Sequence, residues 1–136
     1  MNFRLICMLA LLGIVVAGAT IVGLVHAGWE TPLSIVVALV TAGTLATRAR
    51  AKFFLHGLLA GAIGSALTSI TQAVFMNQYL AHNPKAVDAF KVLPSGLSPA
   101  LLVLVAIPLT AGLAGIVTGL LTLLWAKFSR PRPANA

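Results

Sequence analysis

Long apolar stretches without a single charged residue dominate this chain, and they restrict its fold more than any other feature. The first runs from Leu5 to Val25, just behind Arg4. Its 21 residues extend about 30 Å as a helix, which is the thickness of the hydrocarbon core of a bilayer. In water such a segment would need cover on every side, and the chain has little polar surface to supply it. Of the 136 residues, 60% are hydrophobic and 8% charged, against roughly a quarter charged in a soluble domain. The mean hydropathy of +1.04 agrees. Val25-His26-Ala27 loosely resembles a leader cleavage site, but the stretch is too long for a signal h-region, so a retained helix is expected.

Short polar segments mark the turns. Gly28 to Pro32 closes the first run, with Thr31 expected as an N-cap and Pro32 as the first helical residue, where a missing N–H costs nothing. The second helix is expected over residues 32–47, with Trp29 at the interface completing its span. Arg48, Arg50 and Lys52 end it. The third, over residues 53–80, is the most polar, with His56, Ser65, Thr68, Ser69, Thr71, Gln72, Asn77 and Gln78. Between Ala81 and Ser98 the chain leaves the membrane; Asn83-Pro84 predicts a short interfacial helix and Pro94-Ser95-Gly96 a turn. Ser98-Pro99 opens a fourth helix over residues 99–125, with a kink expected near Pro108.

The expected fold is therefore all-α: four transmembrane helices in an antiparallel bundle, one domain over residues 1–128, and a flexible cytoplasmic tail over residues 129–136. Orientation follows from the basic residues. Arg4, Arg48, Arg50, Lys52, Lys127, Arg130 and Arg132 fall on one side, and only Lys85 and Lys91 on the other, so both termini are expected in the cytoplasm. The same distribution explains the net charge of +7 without nucleic acid, since no basic stripe interleaves with aromatic residues.

Helices solvated by lipid are held by close packing and interhelical hydrogen bonds. Gly57, Gly61, Ser65 and Ser69 place small residues four apart on the third helix, and Ala111, Gly115 and Gly119 do so on the fourth, with Gly112 beside them. These two faces are expected to pack, against each other or against a partner. Gly13 and Ala17 give the first helix a shorter version.

No Asp, Glu, Lys or Arg lies inside an expected span, which argues against proton-coupled antiport and intramembrane carboxylate catalysis. No nucleophile with a base and an orienting partner is visible, so no enzyme activity, cofactor or metal site is expected. Cys7 is the only cysteine, which excludes an intrachain disulfide, and it is expected to pack as a small hydrophobe. His26 and His82 fall at similar depth at helix ends, the one pair that suggests a haem or pigment ligand set. His56 is expected to bond a neighbouring helix or snorkel. Thr68, Thr71 and Gln72, with Ser65, offer either a polar path for a neutral solute or interhelical bonds.

The basic run Arg48-Ala49-Arg50 after a helical hairpin, the opening Phe53, Phe54, Gly57, Gly61, the closing Tyr79 with Asn83-Pro84, and a glycine-rich last helix form one pattern. Over about residues 5–128 it resembles a family of small four-helix bacterial inner-membrane proteins of unknown function. The resemblance implies a bacterial inner membrane and carries no functional residue across. Together these features predict a non-catalytic membrane component, self-associating as a homo-oligomer or serving as an accessory subunit beside other membrane proteins in the lipid bilayer. An oligomeric channel or carrier for a neutral solute is the alternative, and a haem- or pigment-binding subunit is the second.

Overall fold

Seven helices follow one another in the computed structural model, which describes residues 1–26, 28–92 and 96–129. They are α1 (Phe3–Ala10), α2 (Leu12–Ile21), α3 (Glu30–Arg48), α4 (Phe53–Val74), α5 (Met76–His82), α6 (Pro84–Lys91) and α7 (Pro99–Ser129). Four segments are long and apolar enough to cross a membrane: Phe3–Ile21, Glu30–Arg48, Phe53–Val74 and Pro99–Ser129.

Several boundaries differ from expectation, each for a local reason. The first segment starts at Phe3 because the Asn2 side chain accepts the Leu5 N–H at 3.2 Å, an N-cap bond. It ends at Ile21 rather than Val25. Gly23 takes φ +78, and the carbonyls of Thr20 and Ala19 accept from the N–H groups of Gly23 and Val25. Helix α3 opens at Glu30, with Trp29 at the N-cap position and no side-chain capping bond, so Thr31 lies inside the helix and is not its cap. Pro32 still sits in the first turn, where backbone N–H groups have no intrahelical partner. The expected third helix is divided at Phe75, whose φ of −104° and ψ of 31° interrupt the helix, so Met76–His82 lies beyond the candidate span.

Helix α6 begins at Pro84, as Asn83-Pro84 predicts, and the Ser98 hydroxyl accepts the Leu101 N–H at 3.1 Å at the start of α7. Helix α7 runs unbroken through Pro108 and continues past Trp125 to Ser129. Pro94 and Ser95, and the tail from 130 to 136 with Arg130 and Arg132, lie outside the described residues.

Buried positions are filled by small residues: Ala10, Ala17, Ala42, Ala46, Ala60 and Ala126 are enclosed, with Ile6 and Leu45 as the largest apolar side chains there. The larger apolar side chains point outward, among them Leu24, Val74, Val105, Leu109 and Phe128. A chain solvated by water places its residues the other way round; one solvated by lipid gains nothing from hiding leucine and packs through small residues. Cys7 is on this outer face rather than packed inside.

Helix α7 packs most extensively on α4, and α3 leans on both. The α1–α2 segment rests on α4 and touches α3 only slightly. Its start is pinned by His56, which is 3% exposed. The His56 Nε2 accepts the Asn2 N–H at 3.0 Å, and Nδ1, 2.9 Å from the Lys52 carbonyl oxygen, carries the proton and donates to it.

Candidate functional site

The α4–α7 seam is built on glycine. A Cβ on Gly61 would stand 2.6 Å from the Ala114 carbonyl oxygen, and one on Gly115 would stand 2.7 Å from that of Leu58. A Cβ on Gly119 would stand 2.9 Å from the Phe54 carbonyl oxygen, and one on Gly57 would collide with the Thr122 hydroxyl. Ala111 is buried on the same stripe. Gly13 makes an equally close approach, its missing Cβ falling on the Gly64 carbonyl.

The α4 stripe does not stay in that seam. At Ser65 and Ser69 it borders a cavity of about 180 Å³ midway along the spans, to which all four contribute. The lining is uncharged, and its polar groups are the hydroxyls of Ser34 and Thr41 from α3, Ser65, Thr68 and Ser69 from α4, and Thr118 from α7. Ser34, Thr41 and Thr118 were not marked out by sequence. Ser34 and Thr41 are seven apart on one helix face, and Thr118 sits between Gly115 and Gly119, so the periodicity was there to be read.

Hydroxyls divide according to where they sit. Thr44, Thr47, Thr71, Thr110 and Thr122 bond carbonyls one turn back on their own helix, which is how a hydroxyl is usually satisfied in an apolar helix. Thr68 donates to the Gly13 carbonyl at 2.9 Å and to that of Gly64 at 3.0 Å, joining α2 to α4. The hydroxyls of Ser34, Thr41, Ser65, Ser69 and Thr118 have no hydrogen bond among the described residues, although Thr41 and Thr118 are each only 4% exposed. Apart from Thr31 and Ser129 at exposed helix ends, unbonded hydroxyls are confined to the cavity wall.

Thr71 and Gln72 do not line that cavity. Thr71 donates to the Leu67 carbonyl of its own helix at 2.7 Å, and Gln72 donates to the Thr20 hydroxyl at 3.3 Å, linking α4 to α2.

A second polar group lies where α2, α3 and α5 meet. Asn83 is fully buried, and although it precedes α6 its side chain makes no capping bond. Its Nδ2 instead donates to the Tyr79 carbonyl at 2.8 Å and to that of Thr20 at 3.2 Å. Tyr79 donates to Glu30 Oε2 at 3.2 Å. Glu30, expected in an exposed turn, is therefore the first residue of α3 and half-buried against α5. Burial, reinforced by the neighbouring carboxylate, pushes the Tyr79 phenol up to about 12.

His26 and His82 have separate surroundings. The His82 Nδ1 is 3.0 Å from the Gln78 carbonyl, and its ring covers Gly23. His26 borders an apolar concavity of about 500 Å³ with Trp29 and Leu33. Among the described residues no three His, Cys, Asp or Glu side chains are grouped to hold a metal ion. In comparisons with known proteins, no family model, curated protein or solved structure matches the chain.

Proposed function

We propose that this chain is a non-enzymatic, multi-pass protein of a bacterial inner membrane whose cavity takes up a small, neutral, hydrogen-bonding solute. In this reading the spans form an antiparallel bundle with both termini on the cytoplasmic side. The observation that carries the function is the confinement of unbonded hydroxyls to one cavity wall. A hydroxyl in an apolar interior costs about 1–3 kcal/mol when it has no partner, so the enclosed Thr41 and Thr118 favour something there to bond, beside the half-buried Ser65 and Ser69 and the exposed Ser34. By volume the space holds on the order of ten waters, at one probe sphere each. With no charge on the wall, an ion would have no counter-charge, so the solute is neutral.

The small-residue faces of α4 and α7 no longer speak for an external partner, because Gly57, Gly61, Gly115 and Gly119 are occupied within the chain. Assembly with further copies or other membrane subunits is favoured instead by Gly18 and Gly112, which have nothing within 4 Å of a built Cβ and leave room for another helix.

Proteoliposome swelling with glycerol and urea tests the solute reading. The native protein is expected to accelerate equilibration over protein-free vesicles. Ser69→Leu, which fills the cavity, should return it to background, while Thr71→Val, outside the wall, should leave it unchanged. No acceleration with any small neutral solute would remove the reading.

A further inference from the structure

The chain's four basic residues at positions 4, 48, 50 and 52 converge at one end of the bundle. Met1, Arg4, Arg48, Arg50, Lys52 and His56 border a concavity of about 580 Å³ there. His56 assembles it. One imidazole holds the Asn2 N–H on one nitrogen and the Lys52 carbonyl on the other, fixing the segment that carries Arg4 beside the link between α3 and α4. Lys52 is the one described non-glycine residue with positive φ, at 55°, a backbone state that L residues rarely occupy.

Nothing in the chain neutralises these cations with a carboxylate side chain. The two acids are Glu30, bonded to Tyr79, and Asp88, paired with Lys91 at 2.8 Å. Four like charges gathered from α1, the end of α3 and the following link repel one another, and a multivalent anion between them removes that repulsion. Guanidinium groups match phosphate oxygens in paired hydrogen bonds, and basic pockets between spans accept phosphate-bearing headgroups.

We propose that this concavity binds a phosphate-bearing dianion, presented by a lipid headgroup or as a free ion. The binding is independent of the solute cavity.

The test uses the full chain purified in detergent. Native mass spectrometry from mixed micelles of phosphatidylcholine and cardiolipin reads lipid retention, and thermal melting with sodium pyrophosphate in lipid-free detergent reads the free ion. Each Lys or Arg beside an anionic phosphate is worth about fivefold in affinity, so R48Q/R50Q/K52Q should lose on the order of 100-fold. R48K/R50K keeps the charge and should retain binding within about tenfold. K85Q/K91Q, which removes cations elsewhere, should change nothing. Cardiolipin enrichment lost in the triple variant identifies a headgroup site; pyrophosphate protection without lipid enrichment identifies a free anion. If circular dichroism shows that the triple variant is unfolded, Arg50→Gln alone is read for its fivefold loss. The proposal is overturned if the native chain neither enriches cardiolipin nor gains stability from pyrophosphate. It is also overturned if the neutralised variants bind as tightly as the native chain, or if K85Q/K91Q loses as much.

Discussion

The seam between α4 and α7 and the cavity beside it are made from the same run of small residues, yet they use them in opposite ways. At Gly57 and Gly61 the backbones come so close that even a methyl group has no place. Two turns on, at Ser65 and Ser69, the same helix face borders open space and presents hydroxyls to it. Close approach maximises dispersion contact where no hydrophobic drive exists between helices. Open space with polar walls forfeits that contact. The difference teaches that small residues at four-residue spacing mark where a helix can approach another, while the side-chain oxygen decides whether the space is closed or left for a guest.

Substitutions that exchange these roles test the contrast, and the seam should respond most. Gly61→Leu or Gly115→Leu forces the helices apart and should cost about 3 kcal/mol or more, measured by detergent-titrated unfolding followed by circular dichroism. Gly112→Leu, on the open side of α7, should stay within about 0.5 kcal/mol. Asn83→Ala removes one hydrogen bond to α2 and one to the carbonyl four residues back in α5, and should cost about 1–2 kcal/mol in the same assay. At the cavity wall, Thr118→Val should be neutral to slightly stabilising, within about 0.5 kcal/mol, because its hydroxyl gives up no bond. A loss at Thr118 as large as that at Gly61 would erase the distinction between seam and cavity.

The smallest effect lies in pH. Tyr79 is the only tyrosine, so phenolate absorbance at 295 nm reports it alone, and its midpoint should fall near 12 rather than 10.0. Because the folded chain holds the phenol protonated above its ordinary range, this contribution to stability is complete below 10.0 and is lost as pH rises toward 12. Tyr79→Phe should abolish that alkaline loss. A midpoint at the ordinary value would mean that the phenol is not buried against Glu30.

Much of the bundle was legible because lipid-facing length and glycine spacing are local properties. The four apolar segments follow from the composition of unbroken runs, and the start of α6 at Pro84 and the Ser98 cap from residues within a turn of one another. Three other features depended on distant partners. Glu30 looked like a turn residue because nothing nearby shows that Tyr79, 49 residues on, will receive it. Asn83-Pro84 located a helix start correctly, but the side chain deserts its capping role for carbonyls supplied by Thr20 and Tyr79. Thr71 and Gln72 are open to two readings, a polar path or interhelical bonds, and Gln72 takes the second, whereas Thr41 and Thr118 line the cavity, because the rotation of α3 and α7 about their axes is set by packing. The interruption at Phe75 has neither glycine nor proline to announce it.

That the α1–α2 segment rests on α4 and hardly on α3 has a consequence for biogenesis. A chain threaded into a bilayer one span after another presents its first two spans before either has its main neighbour. The first waits for the third, whose Gly64 receives Gly13, and the second waits for the fourth. The first two segments are therefore placeholders, interlocked only once Pro99–Ser129 has joined them.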